Sequence, residues 1–147
     1  MKKIKVGIVG IGNIGSAHAS CIINGGIKGM ELVALCDIDS RRLSFFSEKY
    51  PEIKCYSDYR DLINSQEIEA IIIATPHPLH ADMAIAALKN GINVILEKPA
   101  DISASKAQLL NDTAEKSGKI FAIMFNQRTN PLFKKARLRV LPYLFFH

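Results

Sequence analysis

Gly10, Gly12 and Gly15 stand in the spacing G-x-G-x-x-G directly behind the apolar run Val6-Gly7-Ile8-Val9, and Asp37 closes a second apolar run, Leu32-Val33-Ala34-Leu35-Cys36. These residue types in this order can hold a dinucleotide. Gly10 allows the tight turn off a strand, Gly12 lets the backbone approach a pyrophosphate, and Gly15 lets the following helix pack closely on the sheet. Asn13 and Ile14 open that helix, where N–H groups without an intrahelical acceptor and the helix dipole both favour a diphosphate. A carboxylate at Asp37 accepts from the adenosine ribose hydroxyls and repels a 2′-phosphate. Ile38 adds no positive charge beside it, so the sequence predicts NAD, with NADP less favoured; Arg41 and Arg42 are the groups near enough to oppose that preference.

A second cluster, Glu97-Lys98-Pro99, follows the apolar segment Val94-Ile95-Leu96. Ligands of doubly wound sheets bind at the carboxyl ends of the strands, so Glu97 and Lys98 are expected to face the same site as the glycine loop. The elements that must position both clusters alternate along the chain. Strands are expected at 3–9, 31–36, 53–56, 70–74, 93–96 and 120–124, and helices at 14–24, 40–49, 59–64, 78–89 and 103–117. This order predicts an α/β fold, a doubly wound parallel sheet with helices on both faces. Ile71-Ile72-Ile73 reads as a central strand buried on both sides. Gly91 and Gly118 mark helix ends, and Pro78 suits a first helical turn.

The 147 residues suit one domain of ordinary size, and 48% hydrophobic with 22% charged residues is the balance of a globular chain. The net charge of +5 is spread, apart from Lys2, Lys3, Lys5 and the group Lys134, Lys135, Arg137, Arg139, with no interleaved aromatic platform. A nucleic-acid partner is therefore not expected. No apolar run reaches the length of a membrane span, and the glycines interrupt the run behind Met1-Lys2-Lys3 that would otherwise resemble a signal peptide. Cys21, Cys36 and Cys55 are an odd number without a C-x-x-C pair, which fits a reducing, cytoplasmic setting; Cys21 and Cys36 read as small buried hydrophobes, and no metal site is expected.

Three segments together, Ala74-Thr75-Pro76-His77-Pro78-Leu79-His80, Glu97-Lys98-Pro99 and Phe125-Asn126-Gln127-Arg128, make residues 3–135 resemble the Gfo/Idh/MocA family of nicotinamide-dependent oxidoreductases. The resemblance implies a Rossmann cofactor domain and hydride transfer between the nicotinamide and a sugar, cyclitol or related polyol. It also assigns roles. Lys98 would lie beside the nicotinamide and the reacting carbon as the catalytic group, where an ammonium stabilises developing alkoxide charge. Glu97 would lie near the nicotinamide ribose, and the Lys98–Pro99 peptide would be cis. Thr75, Pro76, His77, His80, Asn126 and Arg128 match positions that contact cofactor or substrate. His77 stands where relatives often carry Asn, and Thr129 where they usually carry an aromatic residue.

Residues 1–125 are thus expected to form the dinucleotide-binding domain, and 126–147 the start of a linker or second domain that is truncated or atypical. Family members continue into a second α/β domain that walls the substrate site and supplies an acid–base histidine. The competing reading is a non-enzymatic dinucleotide-binding module or inactive fragment. A helix at 131–140 is expected, and the apolar tail Leu141-Pro142-Tyr143-Leu144-Phe145-Phe146-His147 predicts self-association.

Overall fold

A computed structural model of the chain describes residues 2–135. Six strands, β1 (Ile4–Val9), β2 (Met30–Cys36), β3 (Lys54–Tyr56), β4 (Ala70–Ile73), β5 (Asn93–Leu96) and β6 (Phe121–Ile123), form one sheet in the order β3-β2-β1-β4-β5-β6. Every neighbouring pair is parallel. Five helices alternate with them: α1 (Asn13–Ile23), α2 (Ser40–Lys49), α3 (Tyr59–Asn64), α4 (His80–Lys89) and α5 (Ala104–Ser117). The expected α/β doubly wound sheet is the fold.

The period-two alternation of the strands sorts the core into two layers. Ile71 and Ile73 of β4 pack with Ala84 and Leu88 of α4 and Leu110 of α5 on one face. Ala70 and Ile72 pack with Ala19 and Ile22 of α1 and Phe46 of α2 on the other. All four β4 residues are buried, as a central strand covered on both sides requires. The strand order reverses between β1 and β4. The crevice at that switch, above the carboxyl ends of the strands, is where such a sheet leaves room for a ligand.

The helix expected at 78–89 starts differently. Pro76 and Pro78 lack an N–H, and the chain first makes a 3-10 turn, His77–Leu79, in which the Leu79 N–H donates to the Pro76 carbonyl at 3.0 Å. The α-helical ladder begins only at His80. Cys21 also departs from expectation: it is exposed, while Cys36 is buried. At about 100° per residue Cys21 falls about 130° from the centre of the Gly15–Ala19–Ile22 stripe that α1 buries. Burial pushes the Cys36 thiol up to about 12, so it is an inert core residue. Among the described residues no helix is long and apolar enough to cross a membrane. Residues 131–135 are helical; the rest of the expected 131–140 helix and the apolar tail lie outside the described residues.

Candidate functional site

The glycine loop follows β1 into a cavity of about 680 Å³ whose walls include Gly10, Gly12, Asn13, Ile14, Asp37, Arg42, Thr75 and Pro76. Gly10 has φ +85°, and a Cβ on it would lie 2.7 Å from the Ala74 carbonyl oxygen. That left-handed turn brings the loop against the end of β4. Gly15 faces inward: its Cβ would lie 1.8 Å from the Gly10 carbonyl oxygen, so helix and loop meet backbone to backbone. Gly12 is the opposite case. A Cβ there would meet nothing nearer than the Arg42 guanidinium, at 4.0 Å, and a side chain at this position would project into the cavity wall. The cradle beside the first turn of α1 exists because position 12 is empty. No side chain caps that turn, whereas Asp39, Asp58 and Ser103 cap α2, α3 and α5. The Asn13 and Ile14 N–H groups lie in that uncapped first turn, in a lining that a diphosphate fits.

Asp37 directly follows β2 and is 6% exposed. Its carboxylate accepts from the Ile11 N–H at 2.8 Å, the Asp39 N–H at 2.8 Å and the Arg42 guanidinium at 3.3 Å. Two main-chain donors fix the orientation of the charge and tie β2 to the glycine loop. Arg41 is turned away on Asp39, through Nε at 3.1 Å and Nη2 at 3.0 Å.

The second cluster lies at the carboxyl ends of β4, β5 and β6. Glu97 follows β5, and its N–H donates to the Ile73 carbonyl at 2.9 Å. One carboxylate oxygen contacts Nε2 of His18 on α1 at 2.9 Å; the other accepts from the Lys98 N–H at 3.3 Å. Lys98 is exposed, and the Lys98–Pro99 peptide is cis. His80 is completely buried, with Nδ1 2.7 Å from the Pro99 carbonyl oxygen and Nε2 2.8 Å from the Thr75 carbonyl oxygen. His77 is exposed, with its ring edge-on to His80 at 5.5 Å. Asn126 and Arg128 sit in the 3-10 turn Asn126–Thr129 after β6, both exposed, with the Arg128 guanidinium 4.6 Å from the centre of the Phe125 ring.

Residues 4–125 match the oxidoreductase family with an NAD-binding Rossmann fold. The chain belongs to the Gfo/Idh/MocA family. It is 43% identical over 117 residues to inositol 2-dehydrogenase of Salmonella typhimurium, an alignment covering 79% of this chain and 34% of that protein. The myo-inositol 2-dehydrogenase structure from Lactobacillus plantarum superposes with a TM-score of 0.87 at 29% identity, over 97% of this chain and 42% of that one. An alpha-N-acetylgalactosaminidase of Shewanella oneidensis is 30% identical over 135 residues, covering 86% of this chain and 29% of that protein. The chain therefore spans about a third of the length of these curated relatives.

As a Gfo/Idh/MocA chain the molecule has two groups of residues along one sheet edge. Gly10, Gly12, Asn13, Ile14, Asp37, Thr75 and Pro76 line the cavity over β1 and β2; Glu97, Lys98, His77, Asn126 and Arg128 lie outside that lining. Gly15 acts from beneath, through its contact with Gly10. His80 stands apart from both groups: it is buried with Nδ1 facing the Pro99 carbonyl oxygen and Nε2 facing the Thr75 carbonyl oxygen, so its ring sits between the segments that follow β4 and β5. His18 is absent from the sequence-based set. Its only signal is phase: it lies about 70° from the centre of the buried stripe of α1, where a polar residue can reach across the sheet edge.

Proposed function

We propose that this chain is the cofactor-binding part of an NAD-dependent oxidoreductase acting on a sugar, cyclitol or other polyol, with residues 1–125 as the dinucleotide domain and 126–147 as the start of a linker or second domain, truncated or atypical. The observation that carries the reading is the open space at Gly12 beside the uncapped start of α1, on the same sheet edge as Lys98. Bound there, the cofactor would supply a hydride acceptor for an alcohol carbon or a donor for a ketone. Gly10, Gly12, Asn13 and Ile14 would hold the diphosphate; Asp37 would hold the adenosine ribose; Thr75, Pro76 and His77 would flank the dinucleotide. Asn126 and Arg128 would meet the nicotinamide end or the substrate. The names of the inositol dehydrogenase relatives support a polyol. Three free thiols fit a cytoplasmic setting. Self-association is proposed on the exposed apolar residues Phe125, Leu132 and Phe133; a monomer by light scattering would overturn it.

NAD preference follows from Asp37. A 2′-phosphate would approach a buried carboxylate already fixed by two N–H donors, while Arg41 and Arg42 are both held on aspartates. NADH is expected to bind this chain at least about tenfold tighter than NADPH, the effect of roughly 1.4 kcal/mol of charge repulsion. Asp37→Ser narrows the gap. Equal binding of the two by the unaltered chain contradicts the assignment.

Lys98 would stabilise negative charge that develops on the substrate oxygen, an interaction strongest in the transition state. Replacing the lysine matched to Lys98 by Ala in a full-length family member is expected to lower kcat by about 100-fold or more, with a much smaller change in cofactor affinity. Unchanged turnover would make the residue structural.

A further inference from the structure

The hydrogen bond between His18 and Glu97 joins the first helix to the end of a strand two places away in the sheet, across β4. We infer that His18 is a positioning residue for the nicotinamide half of the cofactor, acting through Glu97; the inference rests on the reading of the groove proposed above. Glu97 is held at three points. Its N–H is on the Ile73 carbonyl, one carboxylate oxygen is on the Lys98 N–H, and the other is on His18. The first two contacts lie in the β5 turn and its β4 neighbour. His18 is the contact that fixes the carboxylate against the glycine-loop helix.

That link matters because α1 carries both ends of the arrangement. Its first turn, at Asn13 and Ile14, borders the diphosphate cradle; His18 lies five residues after Asn13, about 7.5 Å along the helix axis. One rigid helix thereby sets the spacing between the diphosphate cradle and the carboxylate beside Lys98. The Glu97 side chain is 17% exposed and that of His18 25%, so the pair is shielded enough to keep one geometry and open enough to meet a ligand. Nε2 donates to the carboxylate both in the neutral ring protonated there and in the doubly protonated ring, so the contact does not depend on the charge of His18. His18 belongs to neither buried apolar cluster.

The test is calorimetric titration of the whole chain with two probes: NADH, and ADP, which lacks the nicotinamide nucleoside. His18→Ala is expected to weaken NADH about tenfold, the worth of one charge-assisted hydrogen bond, and to leave ADP within about twofold. His18→Gln keeps a donor and should recover most of the NADH affinity. In a Glu97→Ala background, His18→Ala should add no further loss, because the effect runs through the carboxylate. NADH binding unaltered in His18→Ala overturns the inference alone. An equal loss for ADP and NADH also overturns it, since the residue would then be a general prop for the fold. A wild-type chain that binds neither probe overturns the reading of the groove and this inference with it.

Discussion

Gly15→Ala is expected to abolish measurable NADH binding and to lower the stability of the fold by about 3 kcal/mol, the upper range for overpacking a tight contact. The added Cβ would sit 1.8 Å from the Gly10 carbonyl oxygen, a backbone atom with no side-chain freedom to move aside. Gly10 cannot retreat either. It is already against the Ala74 carbonyl, and its N–H is tied to the Cys36 carbonyl at 2.8 Å. Helix α1 must therefore tilt away from the loop, which separates the first-turn N–H groups from the turn that completes the cradle. Urea denaturation and an NADH titration on the same preparation check both halves. Wild-type stability with wild-type affinity would mean that the close approach of helix and loop has no consequence.

His80→Ala is expected to cost about 4 kcal/mol, combining a buried cavity with the loss of the ring N–H that a buried carbonyl accepts. For a domain of this size that is a fall of about 15 °C in Tm. The ring is fully buried and bridges the Thr75 and Pro99 carbonyls, which lie after β4 and β5. The substitution releases both loops at the end of the sheet that carries Lys98. His80→Asn should recover less than half of the loss, because its shorter side chain cannot span both acceptors. A change of less than 1 kcal/mol by thermal or chemical denaturation would show that the clamp adds little.

The parts of this molecule that were legible in the sequence are those set by short-range geometry. A left-handed turn and a backbone-to-backbone contact demand Gly10 and Gly15 whatever surrounds them. The run Ile71-Ile72-Ile73 announces a strand covered on both faces, and Gly118 ends its helix where expected, at φ +65°. The order of elements then implies the sheet. What the sequence hid are contacts made by tertiary juxtaposition. His18 and Glu97 are 79 residues apart, and nothing local to either predicts the other. His80 read as a ligand contact because its neighbours resemble a cofactor loop, while its burial depends on α4 packing under the turn at Pro99. The 3-10 start at His77–Leu79 goes with two prolines in alternation, Pro76 and Pro78, whereas Pro78 by itself points to a plain helical start.

The central claim is that the space at Gly12, beside the start of α1, receives the diphosphate of NAD. Gly12→Val tests it most directly, since position 12 lines the groove and an added Cβ there meets nothing nearer than the Arg42 guanidinium at 4.0 Å. Titrating wild type and Gly12→Val with NADH should give saturable binding by the wild type and at least about a 100-fold weaker response by the variant, with denaturation curves that agree within about 0.5 kcal/mol. Equal NADH binding by the two proteins, or no saturable binding by the wild type, would contradict the account.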